Sequence, residues 1–149
     1  MYNTSLRIVN DIYEAEDIMQ EAFLKAFQSL NTFKAEVNFG AWLRKIVVNL
    51  SLDSLRKHKP TFETLLEQED QYTEESEENE DDKDYRIEEI KSEINKLPDG
   101  YRIVLSLYLL EGYDHEEIAD IMNISPSTSR SQYARSRKKL VENLKKIEQ

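Results

Sequence analysis

Apolar residues recur at intervals of three and four positions through most of the chain, which is the periodicity of amphipathic α-helices. Residues 14–30 predict one such helix, whose buried face is expected to carry Met19, Phe23, Ala26, Phe27 and Leu30, with Ile18 and Ala22 at its margin. A loop at residues 31–38 leads to a second long helix with the buried stripe Leu43, Ile46, Val47 and Leu50. The amphipathic pattern that begins at Tyr2 has no preceding cap, so the N-terminus of this part is expected to be truncated.

The same periodicity returns in the last part of the chain. One helix has a predicted apolar face made of Ile87, Ile90, Ile94 and Leu97. After a turn at Pro98, the next helix is expected to bury Ile103, Val104, Leu107 and Leu110 and to end at Gly112. Between these parts, apolar periodicity is nearly absent. The pattern predicts an all-α protein with two small helical domains, residues 1–60 and 85–149, joined by an acidic flexible linker at residues 61–84.

Residues 114–140 contain the start and stop signals of two short helices. Asp114 followed by Glu117 is the pattern of a capping box, and Asn123 tolerates the left-handed conformation that ends a helix. Ser125 followed by Pro126 supplies a hydroxyl cap and then a proline where no amide donor is needed. The spacing predicts a C-terminal helix-turn-helix, a motif whose second helix enters the major groove of DNA.

The charge distribution supports this interpretation of the second helix. Residues 123–149 hold seven Lys/Arg against two Glu. The start of the second helix carries polar side chains suited to reading a groove, namely Ser127, Thr128, Ser129, Arg130 and Gln132. The net charge of −10 conceals this pattern, because residues 61–90 contain fourteen acids and two bases and the other residues sum to +2. A basic solvated face is the alternative interpretation.

Composition and motifs disfavour catalytic chemistry. The chain has no cysteine, which removes disulfides, thiolate nucleophiles and cysteine-ligated zinc. His58 and His115 have no ligand-spaced partner, and neither a Gly-rich phosphate loop nor a nucleophile elbow occurs. No apolar run approaches a membrane span, and no signal-peptide pattern is present. We therefore expect a cytoplasmic protein that is not an enzyme, is not inserted in a membrane and needs no cofactor or metal.

A second basic segment lies in the first domain. Residues 43–60 hold five Lys/Arg against one Asp, and the aromatic residues Phe33, Phe39 and Trp42 precede them. Rings beside cations suit unstacked nucleic-acid bases, because the rings offer flat surfaces and the cations attract phosphates. Asn49, seven residues after Trp42 on the same helix, adds amide donors and acceptors. The alternative is that the three rings fill a small hydrophobic core.

One face of the helix at residues 14–30 is predicted to point outward. An exposed leucine ringed by acids and amides suits a contact with another protein, and an ordinary solvated face is the alternative. The residues on this face are Asp17, Gln20, Glu21, Leu24 and Gln28.

The two halves together resemble a bacterial RNA polymerase sigma factor of the extracytoplasmic-function group of the sigma-70 family. The resemblance rests on residues 15–23 (AEDIMQEAF), residues 39–43 (FGAWL), Asn49, residues 53–56, Leu97-Pro98 and the helix-turn-helix through residues 135–140. Members of this group carry two conserved sigma regions joined by a variable linker, which implies the same three-part organisation here.

The resemblance implies core RNA polymerase and promoter DNA as partners. In the family, the helix with the Asp-x-x-Gln-Glu pattern binds the clamp of the largest polymerase subunit, which implies this contact for Asp17, Gln20 and Glu21, with Leu24 added from its place on the same face. The loop and helix that follow capture and melt the −10 promoter element. That role is implied for Phe33, Lys34, Asn38, Phe39, Trp42, Lys45, Asn49, Arg56 and Lys57.

The family's second helix of the helix-turn-helix enters the major groove at the −35 element. The side chains expected nearest the base edges follow Pro126 and are Ser127, Thr128, Arg130 and Ser131. Those expected to bind phosphates are Arg135, Arg137 and Lys138. Members are commonly held by anti-sigma proteins, so such a protein is a further implied partner.

Two positions depart from the family's pattern. Ser129 stands where a β-branched residue is usual, and Pro126 stands where glycine is frequent. Ser129 is therefore expected to pack less well beneath the second helix.

Two other functions fit parts of the sequence. A stand-alone helix-turn-helix regulator would use residues 1–60 for sensing or dimerisation, although it would not need the aromatic and basic residues found there. A helical adaptor that binds only proteins predicts that Arg130→Ala and Arg135→Ala leave function unchanged.

Overall fold

The computed structural model describes residues 1–58 and 86–147, and every regular element among them is helical. The α-helices are α1 (Tyr2–Val9), α2 (Ile12–Gln28), α3 (Phe39–His58), α4 (Ile87–Lys96), α5 (Asp99–Leu109), α6 (His115–Met122) and α7 (Pro126–Ile147), with a 3-10 helix at Leu30–Thr32. The prediction of an all-α fold is confirmed. The predicted linker at residues 61–84 lies outside the described residues. Contacts between Cα atoms divide the chain into two compact units, Met1–Glu63 and Thr64–Gln149.

In the first unit, α1, α2 and α3 each pack against the other two. The chain turns sharply between α1 and α2 because Asn10 adopts the left-handed conformation (φ 54°, ψ 34°) and Asp11 caps the next helix by accepting a hydrogen bond from Glu14 N at 3.0 Å. Where α1 meets α3, the buried hydroxyls of Ser51 and Ser5 form a hydrogen bond of 2.9 Å. Small side chains therefore set the close contact between these two helices.

The prediction for the buried face of α2 is confirmed at Ala26 and wrong at both phenylalanines. Phe23 and Phe27 are 58% and 80% exposed, and Leu30 beyond the helix is also exposed. The residues of α2 that are buried are Ala15, Ile18, Ala22 and Ala26. Apolar residues cover a wide arc of α2, so that either of two stripes could face the core. Alanines allow the helix to lie closer to α1 and α3 than phenylalanines would.

The buried stripe of α3 is wider than the sequence predicted, since α1 and α2 both cover this helix. Leu43, Val47 and Leu50 are buried as expected, whereas Ile46 is only half-buried. The further buried residues are Val48, Ser51, Leu52 and Leu55.

In the second unit, α5 is the central helix and packs against α4, α6 and α7. Every residue of α5 from Arg102 to Leu107 is buried. The neighbouring helices add apolar side chains to this core, among them Ile94, Leu97, Leu140 and Leu144. Ile87 is exposed in the first turn of α4, contrary to prediction. The α5 helix ends at Leu109, before Gly112, which adopts φ 77° in the turn that follows.

Arg102 is a charged side chain within this core and is only 2% exposed. Its Nη1 donates hydrogen bonds to Asp99 Oδ1 at 2.7 Å and to the carbonyl oxygen of Leu97 at 3.3 Å. Leu97 and Asp99 flank Pro98, where the chain turns from α4 into α5. One guanidinium therefore joins both sides of the turn.

We expect Arg102→Ala to lower the free energy of unfolding by about 2–4 kcal/mol, because it removes a donor from a buried carbonyl and a carboxylate and opens a cavity. Urea unfolding of the full chain, followed by far-ultraviolet circular dichroism, measures the change. Arg130→Ala is the matched control, since Arg130 is exposed on α7 and its removal should cost no more than about 0.5 kcal/mol. Superimposable curves for R102A and the unaltered chain would contradict the prediction.

Candidate nucleic-acid interface

The first helix of the predicted helix-turn-helix, α6, is capped at both ends. Asp114 Oδ1 accepts a hydrogen bond from Glu117 N at 2.8 Å, and Glu117 Oε1 accepts one from Asp114 N at 3.3 Å. At the other end, Asn123 is in the left-handed conformation (φ 57°, ψ 46°), and its N–H donates to the carbonyl oxygen of Ala119. The predicted capping box and helix end are both confirmed.

The second helix, α7, begins at Pro126, as the Ser-Pro pair predicted. Ser125 Oγ accepts a hydrogen bond from Thr128 N at 3.0 Å, which satisfies one of the amide donors that the start of a helix leaves without an intrahelical partner. The chain therefore passes from Asn123 to Pro126 with both helix ends hydrogen-bonded. These local interactions hold α7 against α6, with which it is in contact.

Three polar side chains that the sequence assigned to the groove are buried instead, and this corrects the prediction for Thr128. The Thr128 hydroxyl lies 2.8 Å from Ser125 Oγ, so it takes part in the helix cap and is not available to a base edge. Ser129 and Gln132 are also buried, because they lie on the face of α7 that turns toward the rest of the unit. Ser127 and Arg130 remain exposed, and Ser131 is half-buried with its hydroxyl donating to the carbonyl oxygen of Ser127 at 3.0 Å.

Further along α7, the basic residues predicted to bind phosphates differ in exposure. Arg137 and Lys138 are exposed, whereas Arg135 is half-buried. Arg130 and Arg137 are seven residues apart, so they lie on the same side of the helix about two turns apart. The exposed side of α7 therefore carries positive charge from its first turn to its middle.

Three rings, one each from α5, α6 and α7, pack together in a group that the sequence did not reveal. His115 stacks on Tyr108, with centroids 4.6 Å apart and planes at 18°, and meets the edge of Tyr133 at 5.6 Å. His115 Nδ1 is also 2.9 Å from Ser129 Oγ. Burial, followed by the nearby charge of Arg130, lowers the pKa of His115, and Asp114 opposes this shift. Burial and then Tyr108 raise the pKa of Tyr133.

In the first unit, Phe33, Phe39 and Trp42 form a second ring cluster. Ring centroids are 5.5 Å apart for Phe33 and Phe39, 5.4 Å for Phe33 and Trp42, and 5.6 Å for Phe39 and Trp42. Phe39 is 48% exposed and the other two rings are half-buried. The rings pack against one another, as the core interpretation required, and they keep exposed surface, as base stacking requires.

Some of the polar residues near this cluster form hydrogen bonds or ion pairs within the protein. Asn38 caps α3, because its Oδ1 accepts hydrogen bonds from Gly40 N at 2.8 Å and Ala41 N at 3.3 Å. Arg56 Nη1 lies 3.3 Å from Asp53 Oδ1. Six of the predicted DNA-binding residues on this loop and helix are exposed, namely Lys34, Asn38, Phe39, Lys45, Asn49 and Lys57.

The outward face predicted on α2 is exposed at Asp17, Gln20, Glu21 and Leu24. Phe23 and Phe27 lie beside it and add apolar surface. Sequence reasoning missed this extension because it assigned both phenylalanines to the core. The sequence signal that could have revealed it is the regular series Ala15, Ala22 and Ala26, because these alanines compete with the phenylalanines for the buried face of α2.

Comparison with known proteins places both units in one family. The model named "Sigma-70 region 2" matches residues 1–61, and "Sigma-70, region 4" matches residues 87–140. The extracytoplasmic-function RNA polymerase sigma factor SigW of Bacillus subtilis is 31% identical, over 99% of this chain and 84% of SigW. The chain belongs to the extracytoplasmic-function group of sigma-70 family sigma factors. This sigma factor is also 31% identical to the RNA polymerase sigma-H factor of Pseudomonas aeruginosa, over 89% of its own length and 74% of that protein.

A solved structure has the same fold. It is the sigma factor RpoE in complex with the anti-sigma factor NepR from Bartonella quintana, with a TM-score of 0.64, 24% identity, and coverage of 97% of this chain and 89% of that one. Sigma factors are DNA-binding initiation factors rather than enzymes, and this one directs transcription initiation by RNA polymerase, with core polymerase and promoter DNA as its partners. Within residues 1–58 and 86–147, no helix has both the length and the apolar character of a membrane span.

Proposed function

We propose that residues 1–60 of this sigma factor bind the polymerase clamp and the −10 element, and that residues 85–149 bind the −35 element. The observation that carries this proposal is the pairing of an exposed basic side of α7, after a fully capped helix-turn-helix, with an exposed ring cluster in the other unit. Each surface suits a different form of DNA, since α7 fits a duplex groove and the rings fit unstacked bases.

At the −35 element, the first turns of α7 enter the major groove. Arg130 is exposed, and its guanidinium can donate hydrogen bonds to the acceptors that guanine presents in the major groove. Ser127 lies near the start of the helix, where it can reach base edges or the backbone. Pro126 and Ser131 border this surface, and Thr128 supports it from behind through the cap with Ser125. Sequence readout therefore depends mainly on Arg130 and Ser127.

Phosphate binding falls to the basic residues further along α7. Arg137 and Lys138 are exposed, and Arg135 is half-buried, so the first two are the stronger candidates. Such contacts position the protein without specifying a sequence, and each is weakened by salt. A single helix reaches few phosphates. The −35 contact alone is therefore weak, and it gains strength when polymerase holds both units on the same promoter.

At the −10 element, the ring cluster receives bases of the separated strand. Stacking on an aromatic ring contributes about 1–3 kcal/mol per base, which offsets part of the cost of unstacking a base from the duplex. Lys34, Lys45 and Lys57 are exposed on the same loop and helix and attract the strand's phosphates, and Arg56 adds charge beside them. Asn49 offers an amide for a base edge, and the Asn38 cap fixes the start of α3, which carries Phe39 and Trp42. Strand opening by this route requires binding energy and no hydrolysis.

The polymerase clamp binds the exposed face of α2. Leu24, 59% exposed, supplies apolar contact, and Asp17, Gln20 and Glu21 surround it with carboxylates and an amide. This arrangement of an apolar centre and a polar rim is typical of protein interfaces. An anti-sigma protein is a further proposed partner, and the fold shared with RpoE, which was solved in complex with NepR, supports it.

The decisive experiment is selection of promoter DNA from a random library by holoenzyme reconstituted from the full chain and core polymerase. We expect two enriched elements at a fixed spacing, and we expect run-off transcripts from the selected DNA only when this sigma factor is present. A stand-alone regulator would give no transcript without another sigma factor, and an adaptor would enrich no sequence. Either result would refute the proposal.

We expect Trp42→Ala to impair strand opening more than promoter binding, because the ring receives unstacked bases that do not exist in the closed complex. Permanganate footprinting should show open complex reduced about tenfold, while filter binding of the closed complex at low temperature changes little. Tyr2→Ala is the matched control, since it removes a partly exposed ring of α1 that is not one of the three rings of the cluster. A normal bubble with W42A would exclude stacking on this ring.

We expect Asp17→Ala and Gln20→Ala to weaken retention of core polymerase on the immobilised sigma factor, each by about threefold to tenfold, because each removes a polar contact from the rim of the α2 face. Far-ultraviolet circular dichroism should be unchanged, since both side chains are exposed. Glu89→Ala serves as control, because Glu89 is an exposed carboxylate on α4, outside the α2 face. Equal retention of D17A, Q20A and E89A would contradict the assignment.

A further inference from the structure

The part of α7 at residues 126–136, which we call the recognition segment, packs on the rest of its unit through polar side chains. Its buried residues are Thr128, Ser129, Gln132 and Ser136, and the buried leucines of α7, Leu140 and Leu144, come later. Short polar side chains contribute little hydrophobic free energy, so hydrogen bonds and ring contacts must fix the orientation of this segment.

His115 joins the recognition segment to both neighbouring helices. It is the first residue of α6, its Nδ1 lies 2.9 Å from Ser129 Oγ on α7, and its ring stacks on Tyr108 of α5. Tyr133, one turn after Ser129, meets both rings, with centroids 4.4 Å from Tyr108 and 5.6 Å from His115. A single imidazole of α6 therefore contacts both α5 and α7.

Burial beside Tyr108 of α5 and Tyr133 of α7, and then the positive charge of Arg130, lower the pKa of His115 and favour its neutral form. The Asp114 carboxylate, which precedes it, opposes this shift. A neutral imidazole and a hydroxyl can exchange donor and acceptor roles, so the bond to Ser129 survives in either tautomer. Arg130 directly follows Ser129, and the rotation of α7 that Ser129 fixes also sets the direction in which Arg130 leaves the helix.

We propose that His115 is a positioning residue for promoter recognition, which acts through Ser129 to set the rotation of α7 and so aims Arg130 at the base edges. This inference rests on the proposed binding of α7 at the −35 element. His115 need not contact DNA for this role. Its loss affects discrimination at the −35 element and leaves contacts at the −10 element intact.

The test is a double-mutant cycle with His115→Phe and Ser129→Ala in the reconstituted holoenzyme. Run-off transcription is measured on the selected promoter and on the same promoter with its −35 element scrambled, and the ratio of the two is compared among variants. Each single variant should lower this ratio about fivefold to tenfold, since it leaves a polar atom without its partner. The double variant removes the same hydrogen bond, so its ratio should fall no further than that of the more impaired single variant.

Ser136→Ala is the control, because it removes another buried hydroxyl from α7, one that donates to the carbonyl oxygen of Tyr133 within the same helix. It should leave the ratio unchanged. All variants are assayed at a temperature where circular dichroism shows them folded, so that a lowered ratio reflects positioning and not unfolding. A double variant whose loss equals the product of the two single losses, or single variants with an unchanged ratio, overturns the inference. A ratio of one for the unaltered protein instead refutes the proposed −35 role.

Discussion

The surface proposed to bind the −35 element depends on how the chain passes from α6 to α7 within three residues. Asn123 can end α6 in a left-handed conformation, and the Ser125 hydroxyl receives the Thr128 amide so that α7 starts without a buried donor left unpaired. If either end were free to lengthen or fray, the side chains of α7 would rotate by about 100° for each residue of shift. Arg130 would then exchange places with buried neighbours. The short turn is thus the constraint from which the exposure of the DNA contacts proposed on α7 follows.

The small size of each unit explains why large rings are found at the surface. A folded part of about 60 residues has little interior volume, and in the first unit alanines and serines occupy the places where the three helices come closest. Phenylalanines that would have forced the helices apart remain outside, where they are available to partners. The first half of α7 is likewise buried through serine, threonine and glutamine. The small interior of each unit therefore explains both the small or polar side chains in the helix contacts and the exposed surface that is available for binding.

Signals that act within a few residues could be read from the sequence, and those that depend on neighbouring helices could not. The Asp114–Glu117 box, the Asn123 helix end and the start at Pro126 are local, and each formed as predicted. The choice between Phe23 and Ala22 for the core of α2 depends on the distance to α1 and α3, which periodicity does not contain. Ser129 was expected to pack less well, and its burial beside His115 depends on a partner fourteen residues away. The aromatic and basic composition of the surface proposed for the −10 element was evident from the sequence, but the contacts among its three rings depend on the fold.

The ring cluster of the first unit contains the chain's single tryptophan. Biosynthetic replacement of that residue by a fluorinated analogue would place one fluorine nucleus at the surface where bases are proposed to stack. Ring currents from a stacked base shift such a resonance, and unlabelled polymerase contributes no signal of its own. The protein thus carries a position from which the separation of DNA strands can be followed by magnetic resonance, without any change to the residues that surround it.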